Sequence, residues 1–145
     1  FETSKQKSVK STTQKNIYII DTNVFVNCPD IISKIDEHYQ VVMSAKVIDE
    51  LDKLKIKLDA ANKKNVETAL RLINKAMDKP NVSMELSDPD LLPNDFNKKS
   101  PDNNILTVAL KFKNENPILL TSDNGLQVKA KGLRIATITL KDFLN

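Results

Sequence analysis

The apolar positions of this chain come in short blocks whose spacing alternates between continuous runs and helical stripes. Residues 16–21 (NIYIID) form a β-branched run that ends abruptly in a carboxylate, which predicts a buried strand. Pro29 opens a short predicted helix over 29–37, and residues 39–43 (YQVVM) predict a second buried strand, with Ser44 as the cap of the next helix. Val47, Ile48, Leu51, Leu54 and Leu58 then recur at helical spacing, as do Val66, Ala69, Leu70, Ile73, Ala76 and Met77, so two amphipathic helices follow. From Pro80 to Ser100 the prolines and their Asn and Asp neighbours predict mostly loop, with one strand over 82–86. Ser100, Pro101 and Asp102 supply a cap, a first-turn proline and a first-turn acid for a helix whose apolar face is Ile105, Val108, Ala109 and Phe112. Residues 117–122 (PILLTS) predict another buried strand beside Asp123, a helix runs on to about residue 131, and a last strand over 134–138 precedes the segment 140–144. Strands separated by helices predict an α/β fold with a central parallel sheet covered on both faces, three layers in all. No internal repeat interrupts this plan.

Composition limits the plan to one domain. With 145 residues, 40% hydrophobic and 28% charged, two domains would each be short of core. No apolar block approaches the roughly 18 to 20 positions needed to span a bilayer, and the mean hydropathy of -0.36 agrees. Residues 1–15 (FETSKQKSVKSTTQK) are polar, lack the apolar stretch of a signal peptide, and read as a disordered basic tail or linker ahead of a folded domain over 16–145. A chain that starts at Phe1 reads as a piece of a longer protein. Four of the 22 bases and one of the 19 acids lie in that tail, which leaves 18 of each in the domain. The pI of 8.9 is therefore weak evidence for a nucleic-acid partner. The single cysteine, Cys28, excludes an intrachain disulfide and a thiolate zinc site, which favours a reducing, cytoplasmic setting with Cys28 in the core. His38 has no histidine partner and reads as a surface or cap residue.

The acids are placed more tellingly than the bases. In an open parallel sheet the working crevice lies beyond the carboxyl ends of the strands, so Asp21 and Asp123, each closing an apolar run, belong to that edge. Asp102 begins a helix, and helix starts gather at the same edge. An acid early in the helix after the second strand joins them, but periodicity does not choose between Glu50 and Asp52, because both flank the apolar stripe. Carboxylates so gathered repel one another and need a cation among them near neutral pH. An all-oxygen set without His or Cys selects a hard ion, Mg²⁺ or Mn²⁺, which activates water and neutralises charge on a phosphodiester. Taken singly, each acid reads equally well as a turn former or helix-start residue.

The stretch IIDTNVFVNCPDII resembles the opening motif of PIN domains, VVMSAKVIDELDKLK their second block, and SPDNNILTVAL with ILLTSDNGLQVKA their two later Asp motifs. The order and spacing are similar from Asn16 almost to the end, and the likeness is strongest to the PIN subgroup that precedes the P-loop ATPase of PhoH-like proteins. This resemblance implies a PIN-like fold and an acidic quartet of Asp21, Glu50, Asp102 and Asp123 that binds metal and is catalytic. It implies orienting roles for Thr22, Asn23 and Ser122, for which satisfying turn backbone is an equal reading. Lys98, Lys99, Lys129 and Lys131 adjoin the acidic edge and are candidates to track phosphates, although solvated lysines are the commoner outcome. The function expected is divalent-metal-dependent endonuclease action on single-stranded RNA. Expected partners are that RNA and an attached P-loop ATPase outside this sequence, with room for an oligomer and no role for a membrane. No P-loop is present in the chain itself.

Other readings fit less well. A haloacid-dehalogenase-like phosphatase needs a second carboxylate two positions after its first Asp, where this chain has Asn23. A response-regulator receiver needs an acid pair that is absent around Asp21. Toxin-type PIN ribonucleases stand alone, whereas the tail here implies attachment. The alternative from another class is a catalytically weak PIN-fold module that binds RNA or protein within a larger chain.

Overall fold

In the computed structural model, which describes residues 15–57 and 59–145, β1 (Ile17–Ile20) lies at the centre of one sheet. The predicted tail up to residue 14, and Leu58 on the predicted helical stripe, lie outside the described residues. The other strands are β2 (Gln40–Ser44), β3 (Val82–Glu85), β4 (Pro117–Leu120) and β5 (Ala136–Ile138), in the order β3-β2-β1-β4-β5 with every pairing parallel. Between and after them come α1 (Thr22–Asn27), α2 (Ala45–Lys57), α3 (Ala60–Ala76), α4 (Pro101–Lys111), α5 (Asn124–Gly132) and α6 (Leu140–Leu144).

The chain winds outward from β1 to β2 and β3, returns through α4 to β4 on the other side of β1, and continues through α5 to β5. Right-handed crossovers that run in opposite directions along a sheet put their helices on opposite faces, which gives the three layers. Accordingly α1, α2 and α3 pack on one another, while α4 packs on β4 and α5, and α5 on β5. Ile19, Ile20, Met43, Leu119 and Leu120 are fully buried in the sheet beneath Leu51, Ile105, Leu106 and Leu126 of the helices. Each such side chain contributes about 1.5 to 3 kcal/mol by leaving water. Cys28 is buried in this core, and His38 is exposed, its Nδ1 2.6 Å from Asp36. None of the described helices is long and apolar enough to cross a membrane.

Several predicted elements change in length. The helix expected over 29–37 is only a 3-10 turn at Ile31–Lys34, and a true helix, α1, stands just before it. With six residues α1 is too short to show a periodic stripe, and its cap, Asp21, doubles as the end of the strand run. The strand expected over 82–86 stops at Glu85, and a second 3-10 turn, Pro89–Leu91, interrupts the predicted loop. The last strand begins at Ala136 because Arg134, with φ of 65°, and Ile135 close the end of α5. Ile135 N–H donates to Ala130 O at 2.9 Å and Arg134 N–H to Lys131 O at 3.0 Å, the paired bonds of a left-handed helix stop.

Candidate active site at the carboxyl edge of the sheet

The winding reverses between β1 and β4, and a crevice opens beyond the carboxyl ends of neighbouring strands at such a reversal. Asp21 leaves β1 there, only 3% exposed. Its Oδ1 accepts the Thr22 N–H at 2.8 Å, and its Oδ2 accepts the Thr121 hydroxyl at 2.7 Å. Residues 20 and 120 are partners in the β1/β4 ladder, so residues 21 and 121 leave the sheet side by side. Thr121 Oγ1 in turn accepts the Asp123 N–H at 3.1 Å. Burial, more than any neighbour, lifts the Asp21 carboxyl from 3.8 to about 6; the two hydrogen bonds oppose the rise, and the charges of Asp102 and Glu50 add to it.

Glu50 approaches from α2, where its Oε1 accepts the Thr22 hydroxyl at 2.6 Å. This separates the two acids that helical phase left equivalent, because Asp52 points outward and pairs with Lys55 at 2.7 Å. Asp102 sits in the first turn of α4, whose start is fixed by Ser100 Oγ and Pro101. Its carboxyl is raised above the ordinary value by partial burial first and by Asp123 next, with Lys129 opposing. Asp123 caps α5, its Oδ1 accepting the Leu126 N–H at 2.9 Å. Asp21, Thr22, Asn23, Glu50 and Asp102 line one open cleft of about 300 Å³. Asp123 stands beside that cleft, within electrostatic reach of Asp102.

Among the described residues Ser122 makes no hydrogen bond to a carboxylate. Its Oγ accepts the Leu140 N–H at 3.3 Å, at the start of α6, and Thr121 holds Asp21 instead. Successive side chains of an extended segment point to opposite faces, so an alignment displaced by one position selects the wrong hydroxyl. Of the four lysines expected near the edge, Lys129 is tied to it: its Nζ donates to Asn103 Oδ1 at 2.8 Å, and its charge acts on Asp102. Lys98, Lys99 and Lys131 are exposed and do not line the cleft. Lys53 and Lys57, which no motif in the sequence marks, do line it, with Leu54 between them. They follow Glu50 at i+3 and i+7, so one helical face carries all three once Glu50 is known to turn inward.

Among the described residues no three carboxylate, His or Cys side chains stand close enough to form a ready-made cage for a metal ion. The donor chemistry nonetheless fits a hard cation. All four acids offer oxygen, and each Asp21 oxygen accepts one hydrogen bond, so each retains a lone pair. Mg²⁺ and Mn²⁺ commonly keep waters between themselves and part of their carboxylate ligands.

A sequence model of the PIN domain matches residues 18–141. The fold is similar to that of a domain of a functionally unknown protein from Methanocaldococcus jannaschii DSM 2661, with 24% identity over 87% of this chain and 91% of that one and a TM-score of 0.59. It is similar also to a PilT N-terminus domain protein from Sulfolobus solfataricus P2, with 16% identity, coverage of 88% and 90%, and a TM-score of 0.54. The PIN domain of human SMG5 is a third, with 15% identity, coverage of 88% and 96%, and a TM-score of 0.56. At these identities the likeness is one of fold. No curated protein matches the chain.

Proposed function

The chain belongs to the PIN-domain family, and from that premise we propose that it is a divalent-metal-dependent endoribonuclease that hydrolyses phosphodiester bonds in single-stranded RNA. PIN domains are generally nucleases, and they usually use divalent metals. The observation that carries the reading for this chain is the meeting of Asp21, Glu50 and Asp102 in one open cleft, with Asp123 beside them. Four segments far apart in sequence bring acids to one edge, and mutual repulsion there is otherwise a cost to the fold.

In this reading Asp21, Glu50, Asp102 and Asp123 hold Mg²⁺ or Mn²⁺. When bound, the ion supplies a nucleophilic water at neutral pH and neutralises charge on the phosphodiester. Thr22 orients Glu50 through its hydroxyl, Thr121 orients Asp21, and Asn23 presents a polar side chain at the mouth of the cleft. An openness to solvent along the edge suits an unpaired strand better than a small molecule. The setting proposed is the reducing cytoplasm, and the protein is proposed to work as part of a longer chain that includes a P-loop ATPase.

The test is cleavage of an unstructured oligoribonucleotide with Mn²⁺ or Mg²⁺ against EDTA. Cleavage is expected only with metal, with a loss of more than about 100-fold in Glu50→Gln and little change in Asp52→Asn. Undiminished cleavage in EDTA would sink the mechanism. Absence of cleavage under every metal would favour a binding module without catalysis.

A further inference from the structure

A row of carboxylates repels a polyanion, so a strand that crosses it has to be held by cations on either side. Two groups of lysines meet that requirement. On α2, Lys53 and Lys57 share the face of Glu50 and line the cleft. Seven residues at a rise of about 1.5 Å place Lys57 roughly 10 Å along the helix axis from Glu50, well beyond the acids themselves. Among the described residues Lys57 makes no ion pair, and Lys53 makes only an exposed one with Asp49 at 3.4 Å, readily exchanged for a phosphate. Lys55 differs, since it turns outward to Asp52.

Lys129 belongs to α5, which follows β4, and β4 lies on the opposite side of β1 from β2 and its following helix α2. A lysine stem is ordinarily free to rotate, but this one is fixed by Asn103, which is 2% exposed. Asn103 is itself held, its Nδ2 donating to Asn97 O at 2.9 Å and its N–H to Ser100 Oγ at 3.4 Å. One of the three ammonium donors is used by Asn103, and two remain for a ligand oxygen.

We propose that Lys53 and Lys57 on α2 and the Asn103-held Lys129 on α5 bind backbone phosphates on opposite sides of the carboxylates, so that single-stranded RNA crosses the edge from α2 to α5. This rests on the nuclease reading above and adds the path of the substrate to it. Lys98, Lys99 and Lys131 lie off this path: they are exposed, and among the described residues they neither line the cleft, as Lys53 and Lys57 do, nor are held beside Asp102 by a buried side chain, as Lys129 is.

The experiment is fluorescence anisotropy of the full chain with a short, labelled, unstructured oligoribonucleotide in EDTA, repeated over a salt series. Each lost phosphate contact lowers the slope of log affinity against log salt by about 0.7 for a single strand. Lys53→Gln/Lys57→Gln is expected to lower it by about 1.4 and Lys129→Gln by about 0.7, each with severalfold weaker binding. The control is Lys79→Gln/Lys113→Gln, which changes lysines that precede strands at the opposite edge of the sheet and is expected to bind like the parent. Parent-like slopes in both the α2 and the α5 lysine variants, or an equal loss in the control, overturn the path while leaving metal-dependent cleavage intact. A parent protein that binds no RNA at any salt overturns the path and counts against the nuclease reading as well.

Discussion

Asp21 and Thr121 are joined by a 2.7 Å hydrogen bond between residues a hundred positions apart. The contact explains why residue identity near the last acid was harder to read than the acid itself. Asp21 and Asp123 stand out because each ends an apolar run, whereas only family likeness separates Glu50 from Asp52 in the sequence, and in the fold Glu50 faces Thr22. Which of two adjacent hydroxyls faces Asp21 depends on the β1/β4 register, and register is a property of paired strands that neither strand carries alone. The consequence is testable. Thr121→Val leaves Asp21 Oδ2 and the Asp123 N–H without the shared hydroxyl, an expected loss of about 1 to 3 kcal/mol. Ser122→Ala removes one exposed bond to Leu140, an expected loss of about 0.5 kcal/mol. Urea titrations of the two variants decide, and equal losses would show that Thr121 does not hold the carboxylate.

At the scale of elements, the well-signed ends were legible and the improvised ones were not. Ser100, Pro101 and Asp102 announce α4 in three consecutive residues, and α4 begins where they place it. The runs that predict β1, β2 and β4 are apolar on both faces, as parallel strands between two helical layers must be. The short α1 escaped because one carboxylate serves both as strand end and as helix cap. The end of α5 escaped because Arg134 occupies a left-handed position that commonly holds Gly, so the expected signal is missing from the sequence. That substitution also leaves stability unclaimed. Arg134→Gly relieves the contact between Cβ and backbone at φ of 65° and is expected to stabilise the protein by about 0.5 to 1 kcal/mol, read as a higher melting temperature. A lower melting temperature would mean that the arginine side chain contributes more than its backbone costs.

For the whole molecule, the doubly wound order β3-β2-β1-β4-β5 creates the edge, and the edge carries a pH dependence. The Asp21 carboxyl sits at about 6 in the folded chain against 3.8 ordinarily, through burial first. Since the folded state binds this proton more tightly, the group's stabilising contribution is complete below about 3.8 and is lost as pH rises through about 6. At about 1.36 kcal/mol per unit the full loss is about 3 kcal/mol in metal-free protein. Asp21→Asn can still accept the Thr22 N–H and carries no titrating group, so in EDTA it is expected to overtake the parent in stability between pH 4 and 7. The observable is the difference between the two proteins in urea stability across that range, and a flat difference would show that the carboxyl is not raised. The same pairing of β1 with β4 also sets the order of events in folding. Asp21 and Glu50 emerge early in the chain, but the ladder that seats Thr121 beside Asp21 closes a loop of about a hundred residues, the slow kind of contact. A nascent or proteolytically shortened chain that ends before Pro117 therefore lacks β4, Thr121 and Asp123, and whatever chemistry the edge performs stays latent until nearly the whole domain has been made.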